Sequence, residues 1–118
     1  MRVLIVEDEF LIAQMVAELL TDAGHTVVGI AGSVDKAIEK IEQHDIDVAI
    51  VDANLKGLCA DDVGVELREH GIPFVVTTGY SQRQLRGALV GAPFLKKPIV
   101  GSDLLASIDA LPRKNEAR

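Results

Sequence analysis

Five short apolar runs alternate without exception with five stretches of helical periodicity, and that alternation confines the chain to very few folds. The runs are Arg2–Val6, Thr26–Ala31, Ile46–Val51, Pro73–Thr78 and Pro93–Lys96. Strand, helix and strand in succession close as a parallel pair through a right-handed crossover. Repeated along the chain, they predict a doubly wound α/β domain, with helices on both faces of a five-stranded parallel sheet. Such strands are buried on both sides, which is why Val48-Ala49-Ile50-Val51 is continuously apolar and does not alternate. Pro73 and Pro93 are tolerable because each opens its run, where a missing N–H costs least.

The intervening stretches carry helical stripes. From Phe10 to Ala23, residues Ile12, Met15, Val16, Leu19, Leu20 and Ala23 recur at threes and fours, and Gly24 follows as a left-handed stop. Ser33 reads as the N-cap of a second helix whose apolar face is Val34, Ala37, Ile38 and Ile41. Asp61 or Asp62 is the expected cap of a third helix ending at His70-Gly71. Ser81–Val90 reads as a weak fourth helix with Gly87 near its middle. Val100–Leu111 is the fifth, with Leu104, Ile108 and Leu111 on one stripe and Pro112 beyond it. Residues 1–112 are expected to form one domain, and the polar residues 113–118 a disordered tail.

Only 3% of residues are aromatic, so the core has to be built from Val, Leu, Ile and Ala. A net charge of −6 disfavours nucleic acid and anionic membrane surfaces as partners. Cys59 is the sole cysteine, which excludes an internal disulfide and fits a reducing compartment. With no leader-like segment and no apolar run long enough to span a bilayer, a cytoplasmic protein without membrane insertion is expected.

Chemistry gathers at the strand ends. The first strand runs into Glu7-Asp8, the third into Asp52, the fourth into Thr77-Thr78 and the fifth into Lys96-Lys97. In a parallel sheet all these ends share one edge, where open α/β sheets place their ligands. Asp52 has no packing reason to end a buried strand, so it is the candidate reactive group. Three carboxylates brought together repel one another, and a divalent cation resolves that; oxygen donors suit Mg²⁺. A lysine and a hydroxyl on the same rim suit a phosphoryl group. The set points to phosphoryl transfer onto Asp52 as nucleophile.

These residues, in this order, resemble the receiver domains of bacterial two-component response regulators over residues 2 to 111. The resemblance implies a flavodoxin-like sheet of order 2-1-3-4-5. It also implies that Asp52 is the phosphoacceptor. Mg²⁺ (or Mn²⁺) would lie at Asp8, Asp52 and the main-chain carbonyl of Asn54, with Glu7 as partner acid, through water. Thr78, followed by the small Gly79, takes the switch-hydroxyl position. Lys97-Pro98 matches the family's Lys-Pro pair, whose peptide bond is typically cis, and Phe94 falls at the switch-aromatic position. The phosphodonor would be a phosphohistidine of a sensor histidine kinase or phosphotransfer protein. Readout would pass to a downstream protein through the fourth helix, fifth strand and fifth helix, or by phosphorelay. Such a protein assists its own phosphorylation and dephosphorylation and is not a turnover enzyme.

Departures narrow the likeness. Glu7 replaces the commoner Asp, and Lys56 stands where a Pro usually follows the phosphoacceptor. Thr77-Thr78-Gly79-Tyr80 with Pro93–Pro98 is similar to a single-domain subgroup common in alphaproteobacteria, in which threonine-to-aromatic coupling departs from the usual form. Blander roles stand beside the sharp ones. Glu7 and Asp8 could cap the first helix, Thr77 rivals Thr78, and Phe94 could simply pack. His25, His44 and His70 end helices with no metal-ligand spacing. An aspartyl-phosphate phosphatase usually has a second Asp two residues beyond its nucleophile, where this chain has Asn54. A nucleotide- or flavin-binding module would want a glycine-rich phosphate turn, absent after the first strand.

Overall fold

The computed structural model describes residues 1–79, 85 and 87–112. Its strands are β1 (Arg2–Val6), β2 (Thr26–Ala31), β3 (Val48–Asp52), β4 (Asn54–Leu55), β5 (Leu58–Cys59), β6 (Phe74–Thr78) and β7 (Phe94–Lys96). Its helices are α1 (Phe10–Asp22), α2 (Val34–Gln43), α3 (Asp61–Glu69) and α4 (Gly101–Asp109). The main sheet runs β2-β1-β3-β6-β7, all parallel, which is the expected 2-1-3-4-5 order. β3 is central, and every one of its residues is buried.

The pleat sorts each strand between two cores. Val3, Ile5, Val48, Ile50 and Val75 meet Ala13, Val16 and Leu20 of α1 and Leu104 and Ile108 of α4. Leu4, Val6, Ala49, Val51 and Val76 meet Ala37 and Ile41 of α2 and Val63 and Leu67 of α3. Each buried Val, Leu or Ile is worth about 1.5–3 kcal/mol over exposure, so a two-faced aliphatic core suffices with almost no aromatic residues. Local signals act as expected at several ends. The Ser33 side chain accepts the Lys36 N–H at 3.2 Å, and Gly24 and Gly71 leave their helices at φ of 92° and 67°.

Two expectations need correction. The fourth helix is one. Of Ser81–Val90, residues 81–84 and 86 lie outside the described residues, and Gly87–Leu89 form a 3-10 turn. The described chain therefore has four α-helices, not five. The reason is local and tertiary together. Gly87 takes φ 55°, off the helical region, and α3 holds the turn from both sides: Asp61 accepts the Ala88 N–H at 2.6 Å, and Arg68 Nε donates to the Ala88 carbonyl at 2.9 Å. That use of Asp61 is the second correction. It is the first residue of α3 and not its cap; Ala60 holds the cap position and makes no side-chain cap bond. Between β3 and α3 the chain forms the short antiparallel hairpin β4–β5, with Asn54 opposite Cys59 and Leu55 opposite Leu58. The tail, 113–118, lies outside the described residues.

A Cβ built on Gly87 overlaps the Asp61 carboxylate. Gly87→Ala therefore meets an unfavourable φ and breaks a charge-assisted hydrogen bond. We expect a loss of about 3 kcal/mol in urea unfolding. A loss below the few tenths typical of surface changes would show that α3 does not hold this turn.

Candidate functional site

The carboxyl edge of the sheet gathers the reactive groups because β1, β3 and β6 end in step. Val6 pairs with Val51, and Asp52 pairs with Thr77. Glu7, one residue past β1, and Asp52, the last of β3, are each only 5% exposed. Between them lies Lys97, its Nζ 2.9 Å from Glu7 Oε1 and 2.9 Å from Asp52 Oδ2. Glu9 stands farther out, at 3.8 Å from the same ammonium and largely exposed. Lys97 reaches this position directly after β7, where its N–H donates to the Thr78 carbonyl at 2.8 Å and the Lys97–Pro98 bond is cis. Of the adjacent lysines, Lys97 is thus the one in the site.

Each carboxylate is also held by main chain. Asn54 N–H donates to Asp52 Oδ1 at 3.0 Å, and Glu9 N–H donates to Glu7 Oε2 at 3.1 Å. Lys56 N–H donates to Asp8 Oδ2 at 3.0 Å. Glu7, Asp8 and Asp52 each offer an oxygen within 4.8 Å of the others, a separation that one cation could bridge. Among the described residues, three clustered carboxylates share the Lys97 ammonium, which leaves negative charge for a cation to compensate. Hard oxygen donors of this kind suit Mg²⁺, which takes one or two carboxylates at about 2.0–2.1 Å and completes its shell with water and phosphate oxygens. The cap position of α1 is Glu9, whose own side chain makes no cap bond, and Glu7 takes the N–H of that residue.

Burial dominates the electrostatics. It pushes the Glu7 carboxyl up from 4.5 to about 7; hydrogen bonds from Lys97 and the Glu9 N–H oppose the rise, and the charge of Asp52 adds to it. Burial alone would lower the Lys97 ammonium. Its hydrogen bonds to Asp52 and Glu7, with their charges, outweigh that and hold it above the usual lysine value.

The remaining expected residues sit close by. Thr77 and Thr78 are both 1% exposed, and the Thr77 carbonyl accepts the Ala53 N–H at 2.9 Å, so the end of β6 orders the turn after Asp52. Phe94 pairs with Val76 and packs, half-buried, on the cluster holding Leu85 and Leu89. The Asn54 side chain accepts the Gly57 N–H at 2.8 Å. Tyr80 lies outside the described residues. Sequence reasoning gave no role to Glu9 or to the Lys56 main chain. The second had a signal: Lys56-Gly57 between two leucines is a two-residue hairpin pattern of the Asn-Gly kind. Two clefts of about 300 and 540 Å³, lined among others by Arg68, Phe74 and Pro93 and by Met1, Val48 and Ile108, open elsewhere, away from the acids. No helix among the described residues is long and apolar enough to cross a membrane.

Residues 3–109 match the family model of the response regulator receiver domain. PdtaR of Mycobacterium tuberculosis, a transcriptional regulatory protein, is 40% identical over 112 residues, covering 92% of this chain and 55% of its own length. The chain spans about half the length of the curated relatives it matches. The solution structure of SdrG from Sphingomonas melonis Fr1 superposes with a TM-score of 0.81 at 35% identity, covering 92% of this chain and 93% of that one. The response regulator PhyR from Brucella abortus gives 0.79 at 31% identity, over 91% of this chain and 45% of that one.

Proposed function

The chain belongs to the response regulator receiver domain family, and from that premise we propose that Asp52 takes a phosphoryl group from a phosphohistidine of a sensor histidine kinase or phosphotransfer protein. The P–N bond of the donor breaks as an Asp52 carboxylate oxygen forms the new P–O bond, and the imidazole leaves with the electron pair. The observation that carries this reading is the shared ammonium: Lys97 lies 2.9 Å from both Asp52 and Glu7 at the end of the central strand. Lys97 holds Asp52 in place before transfer and then pairs with a phosphoryl oxygen. Thr78 supplies the hydroxyl that moves toward the new group. Thr77 is as deeply buried and lies in register with Asp52, so Thr78 is preferred on the family motif that Gly79 completes.

Asp8, Asp52 and the Asn54 carbonyl would hold Mg²⁺ (or Mn²⁺), with Glu7 acting through water. An ion held there would neutralise charge on the phosphoryl oxygens. The residues of the chain do the rest. The added phosphoryl charge at Asp52, with Lys97 drawn from the carboxylate to a phosphoryl oxygen, shifts the end of β6 and the Gly87–Leu89 turn that follows it, with Phe94 packed on the same cluster. A downstream protein reads that face: the turn, β7 and α4. Transfer is stoichiometric, so the protein is a signalling module that assists its own phosphorylation and dephosphorylation in the cytoplasm.

Incubation with Mg²⁺ and a small acyl phosphate, followed by intact mass measurement, tests the reading. One added phosphoryl group that requires Mg²⁺ is the expected result. A folded protein that gains none from the acyl phosphate or from a phosphorylated histidine protein would overturn it.

A further inference from the structure

We propose that Lys56 is a positioning residue of this site, acting through its main-chain N–H and not through its ammonium. Lys56 is the only non-glycine among the described residues with a positive φ, at 53°, and Gly57 follows at 84°. The pair forms the two central positions of a mirror-image turn joining β4 to β5, where Asn-Gly is the favoured sequence. A lysine in this left-handed region is unfavourable, so something has to hold it there. Three hydrogen bonds do. Asn54 Oδ1 accepts the Gly57 N–H at 2.8 Å, the Ala60 N–H closes the base of the hairpin on the Ala53 carbonyl at 3.0 Å, and the Lys56 N–H itself reaches Asp8 Oδ2 at 3.0 Å.

The last of these links the loop after Asp52 to the loop after β1. It satisfies one oxygen of a half-exposed carboxylate and restricts its rotation, while a carboxylate keeps further acceptor capacity for a cation. Partners of this kind typically change metal affinity 10–100-fold when removed. The turn therefore fixes Asp8 as a ligand and couples the geometry of the Asp52 loop to it. The inference rests on Asp8 being a metal ligand.

The test has a metal-free arm and a metal arm. In metal-free protein, amide exchange followed by NMR shows a protected Lys56 N–H in the wild type, and protection falls at least tenfold in Asp8→Ala. Titration with MgCl₂ alone, by calorimetry, then compares three variants. Lys56→Ala keeps the N–H and binds Mg²⁺ within about twofold of wild type. Lys56→Asn, which suits the turn, binds as tightly or tighter. Lys56→Pro, which removes the donor and cannot take the positive φ of the turn, loses about tenfold or more, with folding checked by circular dichroism. An unprotected Lys56 N–H overturns the proposal even if Lys56→Pro fails to fold. Equal loss in Lys56→Ala and Lys56→Pro overturns it too, because the ammonium would then be responsible. A wild type that binds no Mg²⁺ while Lys56 stays protected removes the metal reading and the positioning role with it.

Discussion

Asp52→Asn removes the phosphoryl gain entirely and leaves the protein folded. The substitution keeps the shape of the side chain and an oxygen for the Asn54 N–H, which now donates to Asp52 Oδ1 at 3.0 Å. It deletes the nucleophile, because an amide oxygen does not displace imidazole from phosphorus. Lys97 keeps Glu7 as its partner at 2.9 Å, so no charge is stranded. Relief of repulsion between two buried carboxylates offsets the lost charge-assisted bond, and stability should stay within about 1 kcal/mol of wild type. Intact mass after acyl phosphate treatment with Mg²⁺ reads the first effect, and urea unfolding the second. A phosphoryl group still incorporated by folded Asp52→Asn would place the acceptor on another residue.

Lys97→Met has the larger cost in stability. Methionine fills similar space but leaves Glu7 and Asp52 as adjacent buried acids without their common cation. Removing one partner of a buried ion pair typically costs 3–5 kcal/mol. Lys97 is 17% exposed, and Glu7 can take up a proton, so about 3 kcal/mol near pH 8 without metal is expected. The direction with pH follows from Glu7. Its folded pKa of about 7 lies above the 4.5 of the unfolded chain, so its contribution is fully present below 4.5 and is lost as pH rises through 7. Without the ammonium the pair holds a proton more tightly, and the gap between Lys97→Met and wild type should narrow as pH falls toward 5. Mg²⁺ should narrow it as well, by supplying the missing positive charge. Urea midpoints at several pH values, with EDTA or with Mg²⁺, measure all of this. Equal midpoints at pH 8 in EDTA would mean that the 2.9 Å contacts do not hold the site together.

Much of the fold was legible because the features that specify it are local. A strand covered on both faces has to be a continuous apolar run, and Val48–Val51 shows it; a helix with one buried face has to repeat at threes and fours, and α1 and α2 do. The positions of Glu7, Asp8, Asp52 and Lys97 at strand ends were equally plain, since parallel strands bring all such ends to one edge. Less legible was the segment after β6. Its apolar spacing at Leu85, Ala88 and Leu89 suits a helix, whereas Gly87 and the two α3 side chains that grip it produce a 3-10 turn. Asp61 misled for the same reason: an acid at the start of a helix reads as a cap, yet it is spent on a backbone group 27 residues away.

By itself, then, the sequence determined the layered parallel fold, the edge on which the chemistry lies and the residue types assembled there, because periodicity and strand termini are properties of neighbouring residues. Only the tertiary structure decided how those residues engage one another. It set Lys97 between Glu7 and an Asp52 that lies 45 residues earlier, and it turned the Lys56 N–H toward an Asp8 48 residues away. Such bonds depend on separations of about 3 Å between groups carried by different elements. Those separations arise from how the helices and strands pack, and no local pattern in the chain encodes them.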